Sequence, residues 1–193
     1  MIKTGGFPTQ EIINTQKLIE NIHLFIRLLL EMCPKQARIT DLKKQTPLMD
    51  RANDGDVDLI KQLLPYSDIN AQDYLGRTAM HFAIGAHHPD CLEILLEAEP
   101  NVSDLLTDEG NSILHACVQF CDVKCTQLVL ENFPGLVLVK NNYNLSPSEL
   151  VKWILDNWDY SQNQMNLHNR NTDNRSELQR IGQLIEEYNQ KLS

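Results

Sequence analysis

Apolar positions fall into recurring patterns along this chain. From Thr9 to Met32, the residues Ile12, Ile13, Leu18, Ile22, Phe25, Ile26 and Leu29 return at three- and four-residue steps. Glu11, Lys17, Glu20 and Arg27 fill the opposite side. That spacing predicts one long amphipathic helix. Three shorter clusters follow: Val57, Leu59, Ile60, Leu63 and Leu64; then Cys91, Leu92, Ile94, Leu95 and Leu96; then Val123, Cys125, Leu128, Val129 and Leu130. Each predicts a helix with one buried face. A last stripe, Leu178, Ile181, Leu184, Ile185 and Tyr188, predicts a C-terminal helix opened by a capping box at Ser176-Glu177-Leu178-Gln179. Asp159 to Arg175 is rich in Asn and Gln and poor in large apolar residues, and it reads as a mobile polar loop.

The clusters belong to a repeat. Leu29–Thr46, Leu95–Ser112 and Val129–Ser146 align without a gap. Each opens with an apolar residue, Leu and Glu, places Pro three residues after the Glu, and ends in Thr or Ser. Thr46, Thr78, Ser112 and Ser146 recur at intervals of roughly 32 to 34 residues. After each comes a helix start: Thr46-Pro47-Leu48-Met49, Thr78-Ala79-Met80-His81, Ser112-Ile113-Leu114-His115 and Ser146-Pro147-Ser148-Glu149. Thr and Ser accept hydrogen bonds from exposed N–H groups of the first turn. Pro47 and Pro147 suit the first helical position, where no N–H is needed. Asp54-Gly55-Asp56 marks a turn between helices, with His87 and Cys121 at the place of the Gly in later units.

These motifs resemble the ankyrin signature T-P-L-H-x-A, and Asp68 to Gly76 resembles that family's connecting finger. The resemblance covers about Leu28 to Leu155. It implies an all-α ankyrin-repeat solenoid of stacked helix-turn-helix units with short β-turn fingers, about three clear repeats plus degenerate capping units. The expected division is an N-terminal helical cap over 9–41, repeats over 42–75, 76–109 and 110–143, a degenerate repeat over 144–158, the loop over 159–175, and a capping helix over 176–192. Terminal units must differ because an open end of a stack exposes apolar surface. The family's His is expected to bridge the turns of adjacent repeats.

Charge narrows the partner. The 193 residues carry a formal charge of −9, with no basic block. Nucleic acid and anionic membrane are disfavoured, because both repel net negative charge. The N-terminal stretch lacks a signal-peptide pattern, and the longest apolar run, Leu28 to Leu30, is too short to span a bilayer. Five cysteines with no C-x-x-C pair read as reduced thiols in a cytoplasmic protein.

No phosphate-binding Gly loop, H-E-x-x-H or G-x-S-x-G is present. His115, Cys117, Cys121 and Cys125 invite a zinc reading, yet Cys117 and Cys125 fall on buried positions of the register, so neither metal nor cofactor is expected. Cys121, in an inter-helix turn, is expected to be exposed. The resemblance implies a non-catalytic module, an adaptor or inhibitor, monomeric when free, that binds another protein on its concave face. Register assigns to that face Leu42, Lys43 and Gln45; Tyr74, Leu75 and Arg77; Asp108, Glu109, Asn111, Gln119 and Phe120; and Tyr143, Leu145 and Trp153. Two other readings stand beside it. One is a bacterial effector acting on a host protein, from the Asn and Gln content and the Glu186-Glu187 tail. The other is a thiol-based redox regulator working through Cys121.

Overall fold

The computed structural model describes residues 9–98, 100–101, 105–158 and 174–192. Among these residues it is all-helical, with no strand. The helices are α1 (Thr9–Met32), α2 (Pro47–Asp54), α3 (Val57–Leu63), α4 (Ala79–Gly85), α5 (Pro89–Glu97), α6 (Ile113–Gln119), α7 (Val123–Asn132), α8 (Pro147–Asp156) and α9 (Asn174–Leu192). They form two rows. The inner row is α2, α4, α6 and α8, each packed on the next. The outer row is α1, α3, α5, α7 and α9, again in sequence. Each helix covers the apolar flank of its predecessor, as expected of a solenoid.

The recurring Thr or Ser starts each inner helix, and the residue three positions on answers it. The Thr46 N–H donates to Met49 Sδ at 3.4 Å, and the Ser146 N–H donates to Glu149 Oε2 at 2.7 Å. In the two middle units the partner is His. The Thr78 N–H donates to His81 Nδ1, and the Ser112 N–H to His115 Nδ1, each at 3.2 Å. Because Nδ1 accepts, the ring proton is assigned to Nε2. His115 Nε2 then donates to the Leu145 carbonyl of the next unit at 3.0 Å. His81 Nε2 is turned toward the Asn111 carbonyl but falls short of hydrogen-bond geometry. The family's His therefore stitches unit to unit fully in one case.

Turns between the helices need a left-handed residue. Gly55, His87 and Cys121 hold that position, with φ of 76°, 61° and 53°. His87 uses its place there: Nδ1 meets Asp122 Oδ2 of the following unit at 2.7 Å. Asp122 also caps α7 by accepting from the Cys125 N–H. The Pro of the aligned segments opens a short 3₁₀ turn, Pro34–Arg38 and Pro134–Leu138, using the N1 preference for Pro.

The core runs the length of the array, through Leu48, Met49, Met80, Ile84, Leu92, Leu95, Ile113, Leu114, Leu130, Ile154 and Leu178. Each large side chain so buried contributes about 1.5–3 kcal/mol. At the C-terminal end, Leu178, Ile181 and Ile185 are fully buried against α7 and α8. Gly182 lets α9 approach: a Cβ there would come within 3.0 Å of Val151 Cγ1.

Three expectations change here. Helix α9 starts at Asn174, so Ser176 lies within its first turn and not at the cap. The loop reading falls on 159–173, outside the described residues, and its last two positions are helical. On α1 the apolar stripe is not covered: Leu18, Ile22, Phe25 and Leu29 are exposed. The array touches a neighbouring strip of α1 instead, where Leu30 is buried and Ile26 half-buried. The side chains of Ile12, Ile13, Glu11 and Glu20 lie outside the described residues.

Candidate functional site

Four fingers project between the outer row and the inner helices, at Asp41–Gln45, Asp73–Arg77, Thr107–Asn111 and Asn141–Leu145. The first residue of each holds the tip closed with its side chain. Asp41 Oδ1 accepts from the N–H groups of Lys43 and Gln45, and Asp73 Oδ1 from those of Leu75 and Arg77. Thr107 Oγ1 accepts from the Asn111 N–H, and Asn141 Oδ1 from Tyr143 and Leu145. Asp and Asn suit this role because their short side chains reach backbone two residues on. Each of the last three fingers then donates one backbone hydrogen bond to the finger before it: Tyr74 N–H to Lys43 O, Asp108 N–H to Leu75 O, and Asn142 N–H to Glu109 O, at 2.9–3.0 Å.

Between the second and third fingers and helices α4 and α6 lies a concave hollow of about 380 Å³. Phe82, Ala116, Phe120 and Leu75 give it apolar walls. The Phe120 ring lies over Gly85, where an added Cβ would come within 3.4 Å of Cζ, and meets His87 edge-on. Arg77 sits 4.6 Å over the Phe82 ring, and its guanidinium makes two bonds to Asp73 Oδ2. Burial pushes the Asp73 carboxyl up, but the bonds from Arg77 and the Leu75 N–H outweigh it and hold the group below its ordinary value. Arg77 is thereby fixed in place. Asp108 and Glu109 form an exposed acidic lip. His81 lines the same hollow, and burial, aided by the Arg77 charge, pushes it down to about 4, so it is neutral there.

Of the residues expected on the face, the hollow brings together Leu75, Arg77, Asp108, Glu109, Asn111, Gln119 and Phe120. Leu42, Tyr74, Tyr143 and Trp153 are exposed but stand outside it, as do Lys43 and Gln45. Asn111 lines the hollow without standing free on the face. It is buried, donating to Glu109 and accepting from Asn141 Nδ2 of the next finger, because the last finger residue turns inward. Leu145 is half-buried and packs on the core. Asn53, Phe82 and Gly85 line the hollow without having been expected. Helical spacing held the signal: Phe82 and Gly85 occupy in α4 the register positions that Ala116 and Gln119 occupy in α6.

Cys121 is a correction. It is 2 % exposed, and its thiol is directed to the Val118 carbonyl at 3.7 Å. That burial shields the sulfur from solvent reagents. Cys33 is the exposed cysteine. Burial raises the Cys117 and Cys125 thiols well above their ordinary value, so neither is a ready thiolate.

Comparison with known proteins decides the family. The family model described as ankyrin repeats in three copies matches residues 18–104 and 53–142. The chain belongs to the ankyrin-repeat family. The ankyrin match spans the first three fingers and the hollow. The chain is 31% identical over 109 residues to a probable E3 ubiquitin-protein ligase, XBOS33, of Oryza sativa subsp. japonica, covering 55% of this chain and 21% of that protein. It is 28% identical over 123 residues to a probable serine/threonine-protein kinase of Dictyostelium discoideum, covering 58% and 14%. It is 24% identical over 91 residues to leucine-rich repeat serine/threonine-protein kinase 1 of Caenorhabditis elegans, covering 47% and 4%. The matched stretch is thus about a fifth or less of these relatives' lengths. Ankyrin repeats are, as a family, modules of protein–protein interaction without catalysis of their own. Among the described residues no helix is long and apolar enough to cross a membrane.

Proposed function

We propose that this ankyrin array is an adaptor or inhibitor that grips one partner protein on its concave face, seating a large apolar or aromatic side chain of that partner in the hollow. The observation that carries this is the hollow itself: aromatic walls from two successive repeats, held rigid by Gly85 and by the Arg77–Asp73 pair, with an acidic lip. Interfaces concentrate their energy in such central pockets, with aromatic and Arg anchors. Tyr74 extends the grip at the adjoining finger tip, and the lip favours a partner with basic residues beside its anchor. The work is binding without chemistry, since His81 and His115 are engaged in helix capping and the buried thiols are held protonated. Thiols free of disulfides support a cytoplasmic setting.

The test is capture from cell lysate with identification of the bound protein by mass, repeated with Tyr74→Ala/Phe120→Ala. Loss of that one protein from the variant, with helicity and melting unchanged, is the expected result. Undiminished capture by the variant places the grip on another surface.

A further inference from the structure

Helix α1 differs from the outer helices α3, α5 and α7 in length and in what it leaves uncovered. It has 24 residues, where α3, α5 and α7 have 7, 9 and 10. At 1.5 Å per residue it runs roughly 20 Å past the length of α7. The exposed positions Leu18, Ile22, Phe25, Leu29 and Met32 are spaced four, three, four, three. That is the a/d spacing of a seam between two helices, with Ile22 and Leu29 at a and Leu18, Phe25 and Met32 at d. Phe25 is 62% and Met32 79% exposed. Leu28 flanks the seam on one side, and Leu24 lies one step further round toward the polar back; both are exposed. On the other flank, Ile26 and Leu30 are taken up by the array. The polar back of the helix carries Arg27 and Glu31, which pair with each other at 3.2 Å. Apolar side chains thus occupy well over half the circumference, a pattern that belongs to a helix covered on more than one side.

We propose that α1 is a dimerisation element, its Leu18–Met32 seam packing against the same seam of a second copy of this chain. Two features select a second copy as the occupant. The seam is self-matching about its midpoint: Phe25 lies at the centre, Ile22 and Leu29 on either side, and Leu18 and Met32 at the ends. A two-fold axis through Phe25 therefore sets apolar against apolar throughout, as an isologous interface requires. Area is the second. The five seam side chains and Leu28, at on the order of 100 Å² each, give roughly 600 Å² per copy, at the low end of the specific interfaces, roughly 600 Å² per partner. The seam carries no charge for a polar partner to address. A monomer was the expectation from sequence, where the stripe is indistinguishable from one buried in the array.

Sedimentation of the full chain from micromolar to sub-millimolar concentration tests this. Twice the 22.1 kDa chain mass is expected. Phe25→Glu should return it to the single mass with the melting of the array retained; a variant that still doubles overturns the proposal. A second measurement needs no loss of stability. In a Cys33→Ser background, Phe25→Cys should form an intermolecular disulfide many-fold faster than Arg27→Cys on the polar back, since Phe25 meets its own copy whether the helices run parallel or antiparallel. A single mass at every concentration, or equal crosslinking at the two positions, shows the seam covered by something other than a second copy. Either outcome leaves the concave-face reading untouched, because Phe25 lies outside the hollow.

Discussion

The two ends of the array carry helices that look alike in sequence and behave differently in the fold. Helices α1 and α9 are both long and striped with Leu and Ile. In α9 the stripe closes over α7 and α8, with Leu178, Ile181 and Ile185 fully buried. In α1 the main stripe faces outward, and a neighbouring strip makes the contact. The difference is one of geometry. Gly182 permits α9 to lie directly on Val151, with Leu184 and Tyr188 of its stripe half-buried beside the closed core. Helix α1 packs chiefly on the following 3₁₀ turn and on α3, and Leu18, Ile22, Phe25 and Leu29 stay exposed. A stripe shows that something must cover a helix; it does not name the cover.

The largest expected break in this comparison is at α9. Ile181→Ala should lower the unfolding free energy by about 2–5 kcal/mol, read from urea denaturation, because it leaves a cavity in a closed core. A cost near zero would mean that α9 is not part of the cooperative array. Acid comes next and acts on the middle of the array, not on the ends. His81 is held at about 4 against an ordinary 6.5, and burial likewise lowers His115 despite its bond to Leu145. Between those values the unfolded chain binds more protons than the folded one, so stability is full above pH 6.5 and falls as pH drops toward 4. The His81 share is on the order of 3 kcal/mol. His81→Gln, which keeps an acceptor three residues after the cap, should flatten the urea midpoint between pH 7 and pH 4.5. The fourth unit answers to a different range: hydrogen bonds from Ser146, and then Lys140, hold Glu149 at about 2, so its contribution is present above pH 4.5 and is lost as pH falls toward 2.

Smaller still is the loss of Asp122, which caps α7 and ties His87 across the repeat boundary. Asp122→Ala should cost about 1 kcal/mol, the usual value of an N-cap. The smallest effect is expected on α1, where Leu18→Ala should stay within about 0.5 kcal/mol at concentrations that keep the chain monomeric. A penalty there as large as that at Ile181 would mean that the seam is covered from within one molecule.

Much of the fold was legible because its signals are local. Thr46, Thr78, Ser112 and Ser146 each have their own N–H answered by the side chain three residues on, within one unit, so the period is written directly into the chain. The left-handed turn position could be followed from Gly55 to His87 and Cys121 by register alone. What register could not give was direction. Cys121 and His87 share a left-handed turn position, yet Cys121 is buried with its thiol toward the Val118 carbonyl while His87 is only partly covered. Asn111 lines the hollow as register implies, but its amide serves the finger row, a contact made only when Asn141 arrives from 30 residues away. About half the hollow was legible from the fingers and from Gln119 and Phe120, and Asn53, Phe82 and Gly85 were missed because no position of α2 or α4 was assigned to the face.

The left-handed sites have a practical side. Lys44 holds φ of 60° at the tip of the first finger, a backbone that a side chain strains and glycine does not. Relieving it with Lys44→Gly is worth about 1 kcal/mol, and the change sits away from both the hollow and α1. An engineer wanting a sturdier scaffold has a place to start that leaves both surfaces intact.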